Sequence, residues 1–213
     1  MEFLLKLKWI IFDVWGVIYK PRDFIKEVFY PFLQGNGLKI SGKKVYKEYF
    51  KASIGEISSK ELWESLGLGK EYPLIEKKYL QEINVLDEDF KRLALSLVND
   101  YHLGIISNDV KEWSFFLLEK YSIHDFFKEI VISGDVKCRK PDKSIFEVFF
   151  NRAGCYPSEC LFIDDRLENL QTAFVLGMKT IRFIREKEMH PFCSEFQVSS
   201  FQELQMTIKN FFN

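Results

Sequence analysis

Five short apolar runs punctuate the chain, at residues 9–12, 103–106, 130–132, 161–163 and 180–183. Four are rich in Ile or Val and lack polar alternation, as expected of parallel strands covered on both faces. Between the later runs the apolar spacing becomes helical. Residues 113–121 are amphipathic. Residues 143–153 start after Pro141 and stop at Gly154, and residues 167–176 stop at Gly177. Strand and helix alternate, which predicts a parallel α/β sheet.

One interval breaks this rhythm. Between the first run and Leu103 lie about ninety residues with helical spacing and no convincing strand, too long for a loop. Within it, "SSKELWESLGLG" carries a capping box from Ser58 to Glu61 and then glycines that end the helix. Residues 87–98 form another helical pattern that returns to the sheet. The expected organisation is a core of residues 1–16 and 91–213, interrupted by a helical subdomain at 17–90.

Composition narrows the function classes. The chain has 213 residues, 47% of them hydrophobic, enough for one large domain with an insertion. With 30 basic and 31 acidic residues the net charge is −1, so no basic footprint for nucleic acid or an anionic membrane is present. No apolar run approaches the ~18 residues of a membrane span. Lys6, Lys8 and Asp13 interrupt the apolar N-terminus, which reads as a first strand and not a signal peptide. Cytoplasmic residence is the expectation. The cysteines (Cys138, Cys155, Cys160, Cys193) form no C-x-x-C, and His102, His124 and His190 are not near them in sequence. Reduced thiols and no zinc site are expected, with a Cys155–Cys160 bridge left open.

The strand ends carry the chemistry. The first run ends at Asp13, the second at "SND" (Ser107, Asn108, Asp109), and the fourth at Asp164 and Asp165. In an open parallel sheet, ligands bind beyond the carboxyl ends of the strands where the topology reverses. Three polar strand ends can therefore meet although they lie far apart in sequence. Each residue alone has a plainer reading: a turn aspartate, a Ser-Asn turn, a solvated acidic pair, a lysine before a helix.

Together, "IIFDVWGVIY", "LGIISND", "KCRKPDKSIF" and "CLFIDDRLENLQTAFVLGMKTI" resemble the four motifs of the haloacid dehalogenase superfamily, in order and across nearly the whole chain. The resemblance implies a Rossmann-like α/β core with an inserted helical cap, the first strand central, the second and third on one side and the fourth and fifth on the other. "IGEISSKELWESL" resembles the cap of members related to a bacterial glucose-1-phosphate phosphatase and to the N-terminal phosphatase domain of soluble epoxide hydrolase.

The resemblance also implies roles. Asp13 is the nucleophile that forms an aspartyl-phosphate. Lys140, in "RKPD", is the cation that keeps Asp13 ionised and steadies the transferring oxygens. Ser107, with the Asn108 backbone amide, binds phosphate. Mg²⁺ is held by Asp13, the Trp15 carbonyl and Asp165, with Asp164 at one remove or through water. Asn169 braces this loop. Arg139 is read as surface, and Arg166 receives no role. The implied partner is a small phosphorylated substrate, possibly a sugar phosphate.

Trp15 departs from the pattern. Phosphatases of this superfamily usually place a second aspartate there, whose carbonyl binds metal and whose side chain protonates the leaving group. Trp15 keeps the carbonyl and loses the acid, a group ordinarily worth ~10²–10⁴ in rate. Three readings stay open: a phosphatase that uses water or a cap residue such as Glu56, a dehalogenase-type hydrolase acting at carbon, or an impaired binding protein. The paired acids count against the second. Packing and substrate contact are equally open for the indole. If packing does not need it, Trp15→Asp should raise phosphatase activity.

Overall fold

The computed structural model describes residues 6–185 and 196–212. Among these residues, six strands form one parallel sheet: β1 (Trp9–Phe12), β2 (His102–Ser107), β3 (Phe127–Ile132), β4 (Cys160–Asp164), β5 (Lys179–Phe183) and β6 (Phe196–Val198), in the order β3-β2-β1-β4-β5-β6. The central place and flanking order expected of the first five strands are observed. The sixth, "FQV", was not anticipated. Three residues of mixed polarity give no periodic signal.

Among the described residues, ten α-helices accompany the sheet: α1 (Tyr30–Gly35), α2 (Gly42–Ser53), α3 (Ser59–Ser65), α4 (Leu74–Glu82), α5 (Asp89–Leu97), α6 (Lys111–Lys120), α7 (Ser133–Val136), α8 (Lys143–Ala153), α9 (Leu167–Val175) and α10 (Phe201–Phe211). The side chains of β1 explain the uninterrupted apolar runs. Trp9 and Ile11 pack with Phe146 and Phe149 of α8 and Leu170 of α9. Ile10 and Phe12 point the other way, into a cluster that includes Phe90 of α5, Trp113 of α6 and Leu204 of α10. Because side chains alternate along a strand, both faces must be apolar when both are covered.

The interval between β1 and β2 is helical, as its spacing predicts. Ser58 caps α3, with the reciprocal bond from Glu61 present. Its interior is aromatic: Phe29, Trp63, Tyr79 and Trp113 sit with ring centroids 5.1–5.9 Å apart. Glu76 of α4 accepts the indole N–H of Trp63 at 2.8 Å and of Trp113 at 2.7 Å on one oxygen. Trp113 belongs to α6, so this carboxylate ties the helical segment to the layer beneath it.

Cys138, Cys155 and Cys160 are free thiols, the last two with sulfurs 3.6 Å apart. Cys193 and His190 lie outside the described residues. Among the described residues, no helix is long and apolar enough to cross a membrane.

Candidate active site

Strand β1 delivers Asp13 to the crevice where the sheet order reverses. Phe12 is paired with Ile105 of β2 on one side and Ile163 of β4 on the other. The next residue therefore sits between the ends of both neighbours. Asp13 Oδ1 accepts the Val14 N–H at 2.7 Å and faces Lys140 Nζ at 2.9 Å. Among the described residues its Oδ2 receives no hydrogen bond, and the residue lines a cleft of about 230 Å³. One oxygen anchors the carboxylate while the other stays available to a ligand.

Lys140 is buried and also donates to Asp164 Oδ2 at 2.7 Å. Its position is set by Asn108, whose side-chain amide accepts from the Lys140 N–H and donates to the Lys140 carbonyl, both at 2.9 Å. The Asn108 side chain is thus committed to the loop that carries the cation, and only its backbone remains for the phosphate role expected of it. Asp164 is saturated: Lys140, the Arg166 N–H and Asn169 Nδ2 all donate to it. Asn169 braces Asp164, as its place after the acidic pair suggested.

The carboxylates of Asp13, Asp164 and Asp165 lie within 4.8 Å of one another. Lys140 serves Asp13 and Asp164, and Arg22 Nε donates to Asp165 Oδ2 at 2.7 Å. Burial, with Asp164 and Asp165 adding and Lys140 opposing, pushes the Asp13 pKa up to about 8. Asp165 is raised for the same first reason, with Arg22 opposing. Burial works to lower Lys140, but Asp13 and Asp164 outweigh it and its pKa is raised. The cluster gathers hard carboxylate oxygens, the donor set that suits Mg²⁺. Gly16 makes it compact. At φ +83° it lies in the left-handed region, and a Cβ there would stand 2.8 Å from the Asp165 carboxyl carbon.

Ser107 closes β2, fully buried, and its hydroxyl has no hydrogen-bond partner among the described residues. An orphaned buried hydroxyl costs about 1–3 kcal/mol unless a ligand satisfies it. This fits an oxyanion at the same strand ends.

Trp15 is buried and packed. Its ring lies 4.3 Å from Phe24 and 5.0 Å from Tyr19, and its N–H donates to Asp109 Oδ2 at 3.2 Å. Asp109 also accepts from Tyr49 of α2 at 2.9 Å, from Ser114 of α6 at 2.8 Å and from the Val110 N–H at 2.7 Å. Burial still leaves its pKa raised despite these donors. Sequence reading placed Asp109 at a polar strand end without giving it a role. It joins the first-strand loop, the helical segment and α6. The indole is therefore structural, although its edge also lines the cleft.

The remaining walls correct two expectations. Arg139 is not a surface residue: it is half-buried, lines the cleft, donates to Ser53 Oγ at 3.1 Å and covers the Phe50 ring at 4.6 Å. Glu56 is exposed and does not line the cleft, whereas Asp23 does. Arg22 was missed altogether, because nothing in "KPRD" marks an arginine that reaches an acid 143 positions on.

Known proteins share this arrangement of strands. A family model described as haloacid dehalogenase-like hydrolase matches residues 7–177. The enolase-phosphatase E1 of Aquifex aeolicus is 29% identical over 94% of this chain and its own full length. A glyceraldehyde 3-phosphate phosphatase of Methanopyrus kandleri is 35% identical over 43% of this chain, a match spanning 40% of that protein. The magnesium-bound HAD-hydrolase YfnB of Bacillus subtilis superposes with a TM-score of 0.69 at 20% identity, over 95% of this chain and 99% of its own. With most of its length matched by the family model, the chain belongs to the haloacid dehalogenase-like hydrolases.

Proposed function

We propose that the protein hydrolyses a small phosphomonoester with Mg²⁺ through an aspartyl-phosphate on Asp13. The observation that carries this reading is the Asp13 carboxylate, tethered through Oδ1 to Lys140 while Oδ2 is left without a partner among the described residues. The phosphatase names of the relatives from Aquifex and Methanopyrus support it.

In this reading Asp13 Oδ2 attacks phosphorus, the ester oxygen leaves and takes a proton, and water then hydrolyses the aspartyl-phosphate to free phosphate. Lys140 neutralises Asp13 and the phosphoryl oxygens, which allows two anions to approach. Ser107 Oγ and the Asn108 backbone amide hold the phosphoryl group. Asp13, Asp165 and the Trp15 carbonyl would hold Mg²⁺, with Asp164 oriented by Lys140 and Asn169 behind them. The ion's part is to offset charge on the phosphoryl oxygens. Residues 17–90 act as the cap that covers the cleft and excludes water. Trp15 supplies no proton. We assign that transfer to Asp23, which lines the cleft and whose carboxylate accepts from Tyr46 Oη at 2.6–2.7 Å, in preference to Glu56, which does not line it.

The test is phosphate release from p-nitrophenyl phosphate and small phosphomonoesters, with and without Mg²⁺. Asp13→Asn should abolish it. Turnover that survives Asp13→Asn removes Asp13 from its role. Halide release from 2-haloacids without metal would replace this reading with chemistry at carbon.

A further inference from the structure

The cleft holds a positive charge that the proposed hydrolysis does not use. The phosphoryl group is served by Lys140, Ser107 and the metal ligands. Arg22 is paired with Asp165, and Arg166, largely exposed, lies 3.8 Å from Glu168. Arg139 alone among these cleft cations has no carboxylate within 4.0 Å among the described residues. Its neighbours are a hydroxyl, Ser53 Oγ, and the face of Phe50. It is also half-buried, and burial, with Arg166 nearby, pushes its pKa down. A guanidinium in that state is under-satisfied: a planar fork of donors held beside an apolar wall with no anion to receive it.

The neighbouring wall limits what can lie there. Tyr46, Tyr49 and Phe50 stand at helical spacing on α2, so all three present one face to the cleft. The volume of about 230 Å³ is below the ~300–1,000 Å³ usual for small-molecule sites. After a phosphoryl group is seated near Asp13, only a short tail fits in the rest of the cleft, alongside that aromatic face and Arg139.

We propose that Arg139 is a specificity residue that binds a second anionic group on the substrate's tail, so that the preferred substrate is a compact phosphomonoester bearing a carboxylate or a second phosphate. The inference rests on the phosphatase reading for its substrate class and adds the charge of the tail. A carboxylate and a phosphate both present the paired oxygens that an arginine fork receives. A neutral polyol tail would leave the guanidinium as it is now.

The experiment uses matched pairs that differ only at the tail: 3-phosphoglycerate against glycerol 3-phosphate for the carboxylate, and fructose 1,6-bisphosphate against fructose 6-phosphate for the second phosphate. For each pair kcat/KM is measured with Mg²⁺ on the parent, Arg139→Met and Arg139→Lys. Calorimetric Kd values are taken in the Asp13→Asn background, with and without Arg139→Met. The parent should favour the doubly anionic member of at least one pair by about 10- to 100-fold, the range of a charge-assisted hydrogen-bonded contact. The preference should reside mainly in KM and in Kd, fall close to one in Arg139→Met and survive in part in Arg139→Lys. Which pair responds identifies the group. Equal kcat/KM and Kd across both pairs in the parent would overturn the proposal while hydrolysis of all four left the phosphatase reading intact. A preference that persists in folded Arg139→Met would overturn Arg139's role. If none of the four is hydrolysed, the phosphatase reading fails, and the Kd comparison still decides whether Arg139 selects for the second anion.

Discussion

Replacing Trp15 by Asp is the substitution that a family comparison invites, and the structure predicts that it fails. The indole is a buried joint, with Phe24 and Tyr19 against its faces and its N–H on Asp109. A buried tryptophan covers roughly 200 Å², and at about 25 cal/mol per Å² its loss costs about 5 kcal/mol. The new carboxylate would also stand beside Asp109, already buried and raised in pKa, with one donor fewer to share. For a chain of this size, about 5 kcal/mol lowers Tm by roughly 10–20 °C. Trp15→Phe separates the two contributions. It keeps one aromatic ring, and loses the hydrogen bond to Asp109, worth about 1–2 kcal/mol, together with part of the buried indole area. The assay is thermal unfolding of all three proteins, followed by phosphate release at a temperature where each is folded. The expected order of stability is parent, Trp15→Phe, Trp15→Asp, with no gain in turnover for the last. A Trp15→Asp protein that melts within about 2 °C of the parent and turns over faster would refute the reasoning. It would show that the position tolerates an acid and that catalysis lacks one.

Other outcomes follow from the same contacts. Gly16→Ala forces a Cβ into the left-handed region, about 1–2 kcal/mol by itself, and against the Asp165 carboxylate; Mg²⁺ affinity measured by calorimetry should fall more than stability does. Glu76→Ala leaves two indole N–H groups without their acceptor, so about 3 kcal/mol and a Tm drop of about 6–12 °C are expected; unchanged unfolding would mean that the aromatic cluster holds without it. The Asp13 pKa of about 8 in the metal-free protein lies above its unfolded value, so the folded state keeps a proton that the unfolded chain has released. That term contributes stability fully below about pH 4 and loses it as pH rises towards 8. Metal competes with the same proton, so the Tm increase given by saturating Mg²⁺ should be larger at pH 8.5 than at pH 6; an increase independent of pH would place the ion elsewhere.

The architecture was legible from spacing because strands buried on both faces must be apolar at consecutive positions. The runs at Trp9–Phe12 and in β2 to β5 carry that signature, and the capping box at Ser58 and Glu61 is local chemistry that a sequence displays directly. The polar strand ends were legible for a related reason: an acid directly after a buried run has few places to go except the sheet's carboxyl edge. Three-residue β6 was not legible, since its pairing with β5 depends on where the chain returns and not on its own composition.

The sequence by itself determined the sheet, the helical interval and the candidate acids, hydroxyl and lysine. Only the tertiary structure decided what those groups meet. It set Asn108 to clamp the Lys140 backbone, turned the Trp15 indole onto Asp109, drew Arg22 to Asp165 and left Arg139 half-buried without a counter-ion among the described residues. Apolar periodicity is a property of neighbours along the chain, whereas charge pairing is a property of neighbours in space. A lone arginine in a sequence carries no mark of which acid, if any, will stand beside it.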